Sequence, residues 1–365
     1  MTAPICTDGF IHKKTKKIMI RRRQPERSQQ VRHAVQWLFI ALNAWIGVQF
    51  YLWVRYYERG GVGLYVPRPA GVDGWLPIAG LMNSKYLLAT GRVPAVHPAA
   101  MYLFLGFLLM SLLLKKAFCS WLCPVGTLSE NLWKIGQRIF KHSFHLPAWL
   151  DVPLRAIKYL LVAFFVWIIG AMSAEALDGF MASPYGVVAD VKMLNFFRDI
   201  GLAAAIVIGV LAVLSILVQN FWCRYLCPYG ALLGIASLLS PVKIRRDVEA
   251  CVDCGKCATV CPASLKVDEL VQIRSVECNA CMACVAACST QDALQFALPA
   301  RKQDVRQQRW FRRALSPLAV AAVIAYIFFG TILIARATGH WQSNIPQDVY
   351  INLVPYANQV THAGI

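Results

Sequence analysis

Twelve of the thirteen cysteines in this chain fall into repeated spacings. Eight lie between residues 251 and 288 in two matching runs, Cys251, Cys254, Cys257, Cys261 and Cys278, Cys281, Cys284, Cys288, each spaced Cys-x2-Cys-x2-Cys-x3-Cys. Two-residue spacers let three thiolates of one loop wrap three irons of a cubane, while the fourth cysteine, about a helical turn further on, reaches the neighbouring cluster. On that crossed pattern Cys251, Cys254, Cys257 and Cys288 hold one [4Fe-4S] cluster, and Cys278, Cys281, Cys284 and Cys261 hold the second. Pro262 follows the last cysteine of the first run and Ser289 that of the second, a change that alters the turn without removing a ligand. Small neighbours, among them Gly255, Ala258, Ala280 and Ala283, let the backbone approach the clusters closely. Zinc sites pair two short knuckles across a longer loop, and disulfide frameworks belong to small secreted chains. Two four-cysteine runs fit neither and point to two clusters.

The other four thiols form a second repeat. FCSWLCPVG carries Cys119, Cys123 and Pro124, and FWCRYLCPYG carries Cys223, Cys227 and Pro228. Residues four apart share a helical face, so each pair is expected to present two thiols in one direction. Proline suits the first turn of a new helix, which places each motif at a break, with Gly126 and Gly230 allowing tight packing there. The likeness of the two copies implies two related halves. Packed about a pseudo-two-fold axis, they would converge Cys119, Cys123, Cys223 and Cys227 into a third redox or metal centre, since soft thiolates suit Fe-S, Cu(I) or Zn. The competing reading is four packed free thiols. Cys6 has no partner motif and reads as a plain free thiol.

The elements that must position these residues are apolar. The 365 residues are 58% hydrophobic and 15% charged, with a mean hydropathy of +0.49, the composition of a membrane protein carrying one small soluble module. Five runs are long enough to cross a bilayer, approximately 34 to 54, 97 to 115, 156 to 176, 200 to 222 and 314 to 335. The stretch 75 to 89, broken by Pro77 and Asn83, reads as re-entrant or interfacial. The fold class expected is therefore mainly α and polytopic, with about five transmembrane helices in two related halves and an inserted α+β two-cluster ferredoxin module. Its domains are a basic tail (1–33), a four-helix membrane domain with both Cys-x3-Cys-Pro motifs (34–240), the ferredoxin domain (241–300), a fifth helix (312–336) and an outer tail (337–365).

Charge sets the expected orientation. The net charge is +18, and 29 of the 37 Lys and Arg residues fall on three segments, 1–36, 115–158 and 224–313, the first and last of which carry the N-terminus and the eight-cysteine module. The positive-inside bias then places both in the cytoplasm, whose reducing conditions suit thiolates, and puts residues 337–365 outside. Because the basic residues gather at the ends of apolar runs, nucleic acid is discounted as a partner. No cleavable signal peptide is evident, and the first apolar run is expected to stay as an anchor.

With these motifs assembled, the sequence resembles the membrane polyferredoxins of the NapH/NosR/CcoG type over roughly residues 35 to 340. The likeness rests on the two Cys-x3-Cys-Pro motifs followed by the paired ferredoxin runs, and the stretch GVDGWLPIAGLMNSKYLLATG also looks like the extracytoplasmic segment of this superfamily. The large N-terminal flavin domain of its nitrous oxide accessory members and the C-terminal immunoglobulin-like domain of its oxidase accessory members have no counterpart here. What remains is similar to a minimal core of the nitrate reductase subunit or YccM kind. The resemblance implies a multi-pass protein of the bacterial cytoplasmic (inner) membrane.

Two clusters beside a membrane-edge set of thiols imply single-electron transfer between the quinone pool or a cytoplasmic donor and an extracytoplasmic redox partner, as in an electron-transfer subunit of the quinol dehydrogenase type. That partner would be a cytochrome, flavoprotein or reductase, with a soluble ferredoxin subunit as a further possibility and membrane lipid as the surroundings. Iron-sulfur potentials span about −700 to +450 mV, so the direction of flow stays open. A copper-reducing assembly factor using the four-thiol site, and a redox sensor or scaffold, are the rivals. Trp75, Tyr86, His97, His340 and Trp341 are candidates for a quinone site, against the reading that interfacial aromatics are anchors. No Cys-x2-Cys-His occurs, so covalent haem is unsupported, and no catalytic side chain is assigned.

Overall fold

The computed structural model describes residue 22 and residues 26–141, 144, 146–298 and 314–361. Most of the expected basic tail, with Cys6, lies outside the described residues. The first described helix is the 31-residue α1 (Ser28–Glu58), whose charged residues are confined to its first turns and its end. A 3-10 turn over Ala70–Trp75 then leads to α2 (Pro77–Thr90), which starts on a proline and stops at Gly91, whose φ of 70° closes the helix in the left-handed region.

Helix α2 is the stretch read as re-entrant or interfacial, and it packs along α3 (Pro98–Leu114). A Cβ on Gly80 would lie 2.7 Å from Phe104 Cβ and 2.8 Å from the Ala100 carbonyl, so only glycine allows this approach. Asn83, which looked like an interruption, donates to the carbonyls of Val96 and His97 at 3.0 Å each, tying α2 to the start of α3.

A short helix α4 (Ala117–Trp121), the amphipathic α5 (Pro124–Phe140) and the long apolar α6 (Ala148–Ala171) follow. Helices α7 (Ala174–Ala182), α8 (Pro184–Val187) and α9 (Ala189–Arg198) are short, and α10 (Leu202–Leu217) is apolar throughout. A single π turn (Trp222–Leu226) then leads into α11 (Pro228–Ala236).

Next comes the cysteine-rich module. Its strands β1 (Lys243–Arg246) and β2 (Leu294–Ala297) pair antiparallel in the register Lys243 with Ala297 and Arg246 with Leu294. Between them lie α12 (Lys256–Thr259) and α13 (Ala283–Ala287), each beginning one residue before the third cysteine of its run. The chain continues with α14 (Pro317–Ala337) and α15 (Gln347–Leu353).

Among the described residues, three helices, α1, α6 and α14, are long and apolar enough to cross a membrane, and α9 with α10 makes a fourth if that pair, bent by 82°, is one span. Helix α3 is as apolar but has 17 residues, about 26 Å of helix, slightly less than a bilayer core. Helices occur within each of the five expected runs, the fourth, 200 to 222, being filled by the 16-residue α10, which passes as a span only together with α9.

The module is not a bead on a linker. Ile244, Phe296, Val267 and Ile273 share one apolar core with Leu114, Phe118 and Trp121 of the membrane part. Polar contacts reinforce the join: Trp121 Nε1 donates to the Ala280 carbonyl at 3.1 Å, Gln29 Nε2 to the Cys281 carbonyl at 2.9 Å, and Lys115 Nζ to the Ser275 carbonyl at 3.0 Å.

Candidate functional site

The two cysteine runs fold alike. The residues two and four places after the first cysteine of each run, Asp253 and Gly255 and then Ala280 and Met282, all have φ between 53° and 72°. Left-handed residues alternating with right-handed ones turn successive N–H groups toward one point, a concavity suited to an anion. Three of the four are not glycine, a strain that local function accounts for better than stability. The N–H groups of Ala280 and Ala283 lie beside the sulfurs of Cys278 and Cys281 and favour their thiolate forms, as cluster sulfurs require.

Burial separates the two sets. Cys278, Cys281 and Cys284 are buried against the membrane part, whereas Cys254 is exposed and Cys251, Cys257 and Cys288 are half-buried. Burial pushes the Cys281 thiol up to about 12, only partly offset by Arg32 and the Ala283 N–H. Such a thiol ionises only when a cation takes the proton's place, which is what an iron ligand receives.

The four remaining thiols line one cavity of about 1270 Å³. They do not get there by sharing a helical face, as the spacing had implied. Cys119 lies in α4 and Cys123 caps α5, while Cys223 lies in the π turn and Cys227 caps α11. The breaks expected at Pro124 and Pro228 are present, each proline starting a new helix with the preceding cysteine as its N-cap. At the first break a Cβ on Gly126 would lie 2.4 Å from the Cys119 carbonyl, so the turn closes only around glycine. At the second, the Gly230 N–H donates to Cys227 Sγ at 3.3 Å.

Charge around these thiols is cationic and fixed. Lys116 lines the cavity, and Lys158, fully buried on α6, holds both oxygens of Glu277 at 2.8 Å, with Tyr159 donating to the same carboxylate at 2.9 Å. Burial opposes ionisation of Glu277, but Lys116 and Lys158 outweigh it and hold the carboxyl below its usual range. Arg224, between Cys223 and Cys227, chelates Asp151 at 3.0 and 3.1 Å and locks the π turn onto α6.

Spacing decides what such a set fits. A single tetrahedral ion with metal-sulfur bonds of about 2.3 Å holds its thiolates about 3.8 Å apart. Among the described residues, no three thiol sulfurs fall within 4.8 Å of one another. Neither thiol set is therefore gathered as tightly as a single tetrahedral ion requires. A thiolate-ligated cubane is anionic, and the buried lysines and inward N–H groups supply what an anion needs when removed from water.

At the other end of the cavity stand Arg68, Trp75 and Trp341. Arg68 belongs to a buried cluster with Asp73, His97 and Asp190. Its Nη2 bonds Asp73 Oδ1 and also reaches Asp190 Oδ2 at 2.7 Å, and its Nε reaches the same Asp190 oxygen at 2.9 Å. Of the residues proposed from sequence for a small redox molecule, Trp75 and Trp341 line the cavity and His97 sits behind it, while Tyr86 and His340 are not among its lining residues. Arg68, Asp73 and Asp190 were not anticipated. They lie 5 and 117 residues apart with no motif spacing, and charges beside apolar runs read as topology signals.

Models of two iron-sulfur families match this chain: a 4Fe-4S binding domain over residues 96–143 and 200–247, and a 4Fe-4S dicluster domain over 243–289. The first match falls twice, once on each Cys-x3-Cys-Pro motif. The putative electron transport protein YccM of Escherichia coli (strain K12) is 50% identical over 331 residues, 91% of either chain. The ferredoxin-type protein NapH of the same strain is 25% identical over 59% of this chain and 73% of its own. The regulatory protein NosR of Pseudomonas aeruginosa is 28% identical over 56% of this chain and 28% of its own. No solved structure matches.

Proposed function

The chain belongs to the family of membrane ferredoxin-type proteins with 4Fe-4S binding domains, of which YccM is one, and we propose that it relays single electrons along a fixed file of thiol-held centres. It is an iron-sulfur electron-transfer protein of the membrane. In the file, the half-exposed set Cys251, Cys254, Cys257 and Cys288 exchanges electrons with a soluble partner. The buried set Cys278, Cys281, Cys284 and Cys261 comes next, and Cys119, Cys123, Cys223 and Cys227 hold a third cluster at the membrane edge.

When bound, a [4Fe-4S] cluster takes up and gives back one electron. The protein's own residues do the rest. Inward N–H groups stabilise the anionic form, Lys116 and Lys158 balance its charge in a site removed from water, and the Trp121 and Gln29 contacts hold the module against the membrane part. The observation that carries this reading is the convergence of both Cys-x3-Cys-Pro motifs on one cavity that also receives Cys281, Glu277 and Asn279 of the module.

Phe107, stacked on both Phe118 and Phe328, lines the same cavity with them. The cavity's apolar length suits a prenylated quinone as the membrane-side electron donor or acceptor. Five crossings, with the N-terminus and the clusters on the cytoplasmic face of the inner membrane and the C-terminus outside, complete the reading, and an extracytoplasmic redox protein takes or supplies the electrons there.

Metal analysis of anaerobically purified protein tests it. Three cubanes require about twelve iron and as many acid-labile sulfides per chain. A value near eight removes the third centre, and copper or zinc in its place favours a metal-handling role.

A further inference from the structure

The break between α3 and α4 gives two consecutive lysines different tasks. Lys115 has φ of 60° and ψ of −163°, a backbone region that only glycine enters readily. Strain of this kind persists only where the surroundings fix it, and it clusters at functional sites. Here the Lys115 N–H donates to Ser240 Oγ at 2.9 Å. Its ammonium donates to the carbonyls of Ser275 at 3.0 Å and Arg274 at 3.3 Å, in the loop that leads to Cys278. Lys116 follows as the N-cap of α4, and it lines the cavity shared by Cys119, Cys123, Cys223 and Cys227.

Lys116 differs from the other cations near the inner thiols. Arg32 is paired with Glu130, Arg224 with Asp151 and Lys158 with Glu277, while Lys115 holds backbone carbonyls. Lys116 is 6% exposed, and its stem runs beside Gly234, whose Cβ would lie 3.7 Å from Lys116 Cδ. Its ammonium makes no hydrogen bond or ion pair among the described residues. A buried ammonium without a partner is costly, and an anion in the cavity it lines is its complement.

The charge of Lys116 acts on both sides of the join between module and membrane part. Burial pushes the thiols of Cys278, Cys119 and Cys227 up, and at each of them Lys116 works against it. The outer set has other neighbours, Asp268 beside Cys257 and Arg22 beside Cys288.

We propose that Lys116 is the counter-charge shared by the buried module set and the four-thiol set, and that it raises the reduction potential of both centres while leaving the outer one untouched. Only the four-thiol half of this rests on the third centre of the reading above. Each electron taken up comes from a neighbouring reduced centre and adds one negative charge to the centre that receives it, with no bond made or broken. A fixed positive charge beside both centres favours the reduced state of each, as a neighbouring cation favours an anionic side chain.

The test is a potentiometric titration of the full-length, cluster-loaded protein in detergent, with dithionite as reductant, ferricyanide as oxidant and low-temperature EPR as the readout. Cys254→Ser identifies the outer centre as the signal it alters. Lys116→Met is expected to lower the midpoints of the other signals and to leave the outer midpoint in place. The ratio of reduced to oxidised cluster at a given potential is expected to fall about tenfold or more, a tenfold change being 59 mV for one electron. Lys116→Arg keeps the charge and is expected to keep every midpoint. Unchanged midpoints in Lys116→Met, an equal shift in all centres, or a Lys116→Arg protein shifted as far as Lys116→Met overturns the proposal. Should Lys116→Met lose iron, full iron in Lys116→Arg supports the counter-charge, and loss from both variants overturns it. Wild-type protein with about eight iron per chain removes the four-thiol centre, a separate result, and the midpoint of the buried module set then decides alone.

Discussion

The twin Cys-x3-Cys-Pro motifs look equivalent in sequence, yet they respond differently to the same small change. In Gly126→Ala the new Cβ would sit 2.4 Å from the Cys119 carbonyl oxygen, a backbone atom at the end of α4, where ordinary contact begins at 3.4 Å. The carbonyl and the α5 turn must separate by about 1.0 Å, twice the roughly 0.5 Å to which a binding site has to be held. Overpacking of this kind costs about 1–3 kcal/mol, too little to unfold the chain. In Gly230→Ala the Cβ meets Cys227 Sγ at 3.5 Å, ordinary contact, and the N–H to that sulfur is retained. Iron and acid-labile sulfide, measured on both variants purified anaerobically, are expected to fall by about four per chain in Gly126→Ala, one cubane's worth, and to stay at wild-type levels in Gly230→Ala. Low-temperature EPR after dithionite reduction is expected to keep the signals of the eight-cysteine module in both. Full iron in Gly126→Ala, or equal loss in the two variants, refutes the reasoning.

Lys158→Met leaves Glu277 buried without its main partner and is expected to cost about 3–5 kcal/mol in denaturant melts, whereas Lys158→Met with Glu277→Leu recovers most of it. Glu130 is gripped by Arg32 at 2.7 Å on both oxygens and by Lys134 at 2.7 Å. Burial alone would raise its pKa, but these cations outweigh that and hold it at about 2, below its ordinary 4.5. The depressed value stabilises the fold above the ordinary carboxylate range and is lost as pH falls from about 4.5 toward 2. The loss is expected to reach about 3 kcal/mol, read from thermal melts against pH and absent in Glu130→Gln. Trp121→Ala empties a fully buried site at the junction of module and membrane part and is expected to cost about 3–5 kcal/mol, with faster proteolysis within residues 243–297. Cys254→Ser is expected to slow electron exchange with a soluble ferredoxin while leaving reduction of the membrane-edge centre by a quinol unchanged, checked by stopped-flow absorbance.

The cysteine runs were legible because ligand chemistry fixes their spacing, and β1, β2, α12 and α13 follow once the loops must wrap a cluster. The apolar runs were legible because bilayer thickness sets their length. The length of the fourth helix was not, because hydropathy does not register that α10 stops at Leu217, well short of the apolar run's end at residue 222. The helical-face argument for the thiol pairs failed because Cys123 and Cys227 adopt extended backbone, with ψ of 117° and 104°, and stand outside the helix that carries their partners. The buried Arg68 cluster was invisible because its members come from three separate segments and meet only in three dimensions. The one hint, Asp73 inside the GVDGW stretch, looked like any loop carboxylate.

The gradient of cysteine exposure, from Cys254 at the surface to Cys278, Cys281 and Cys284 in the core, also sets an order of vulnerability. Dioxygen reaches the outermost thiolate first, so air damages the centre nearest bulk water before those insulated by protein and lipid. A protein that docks over Cys254 to trade electrons also shields it, so that traffic and protection coincide and the idle molecule is the fragile one.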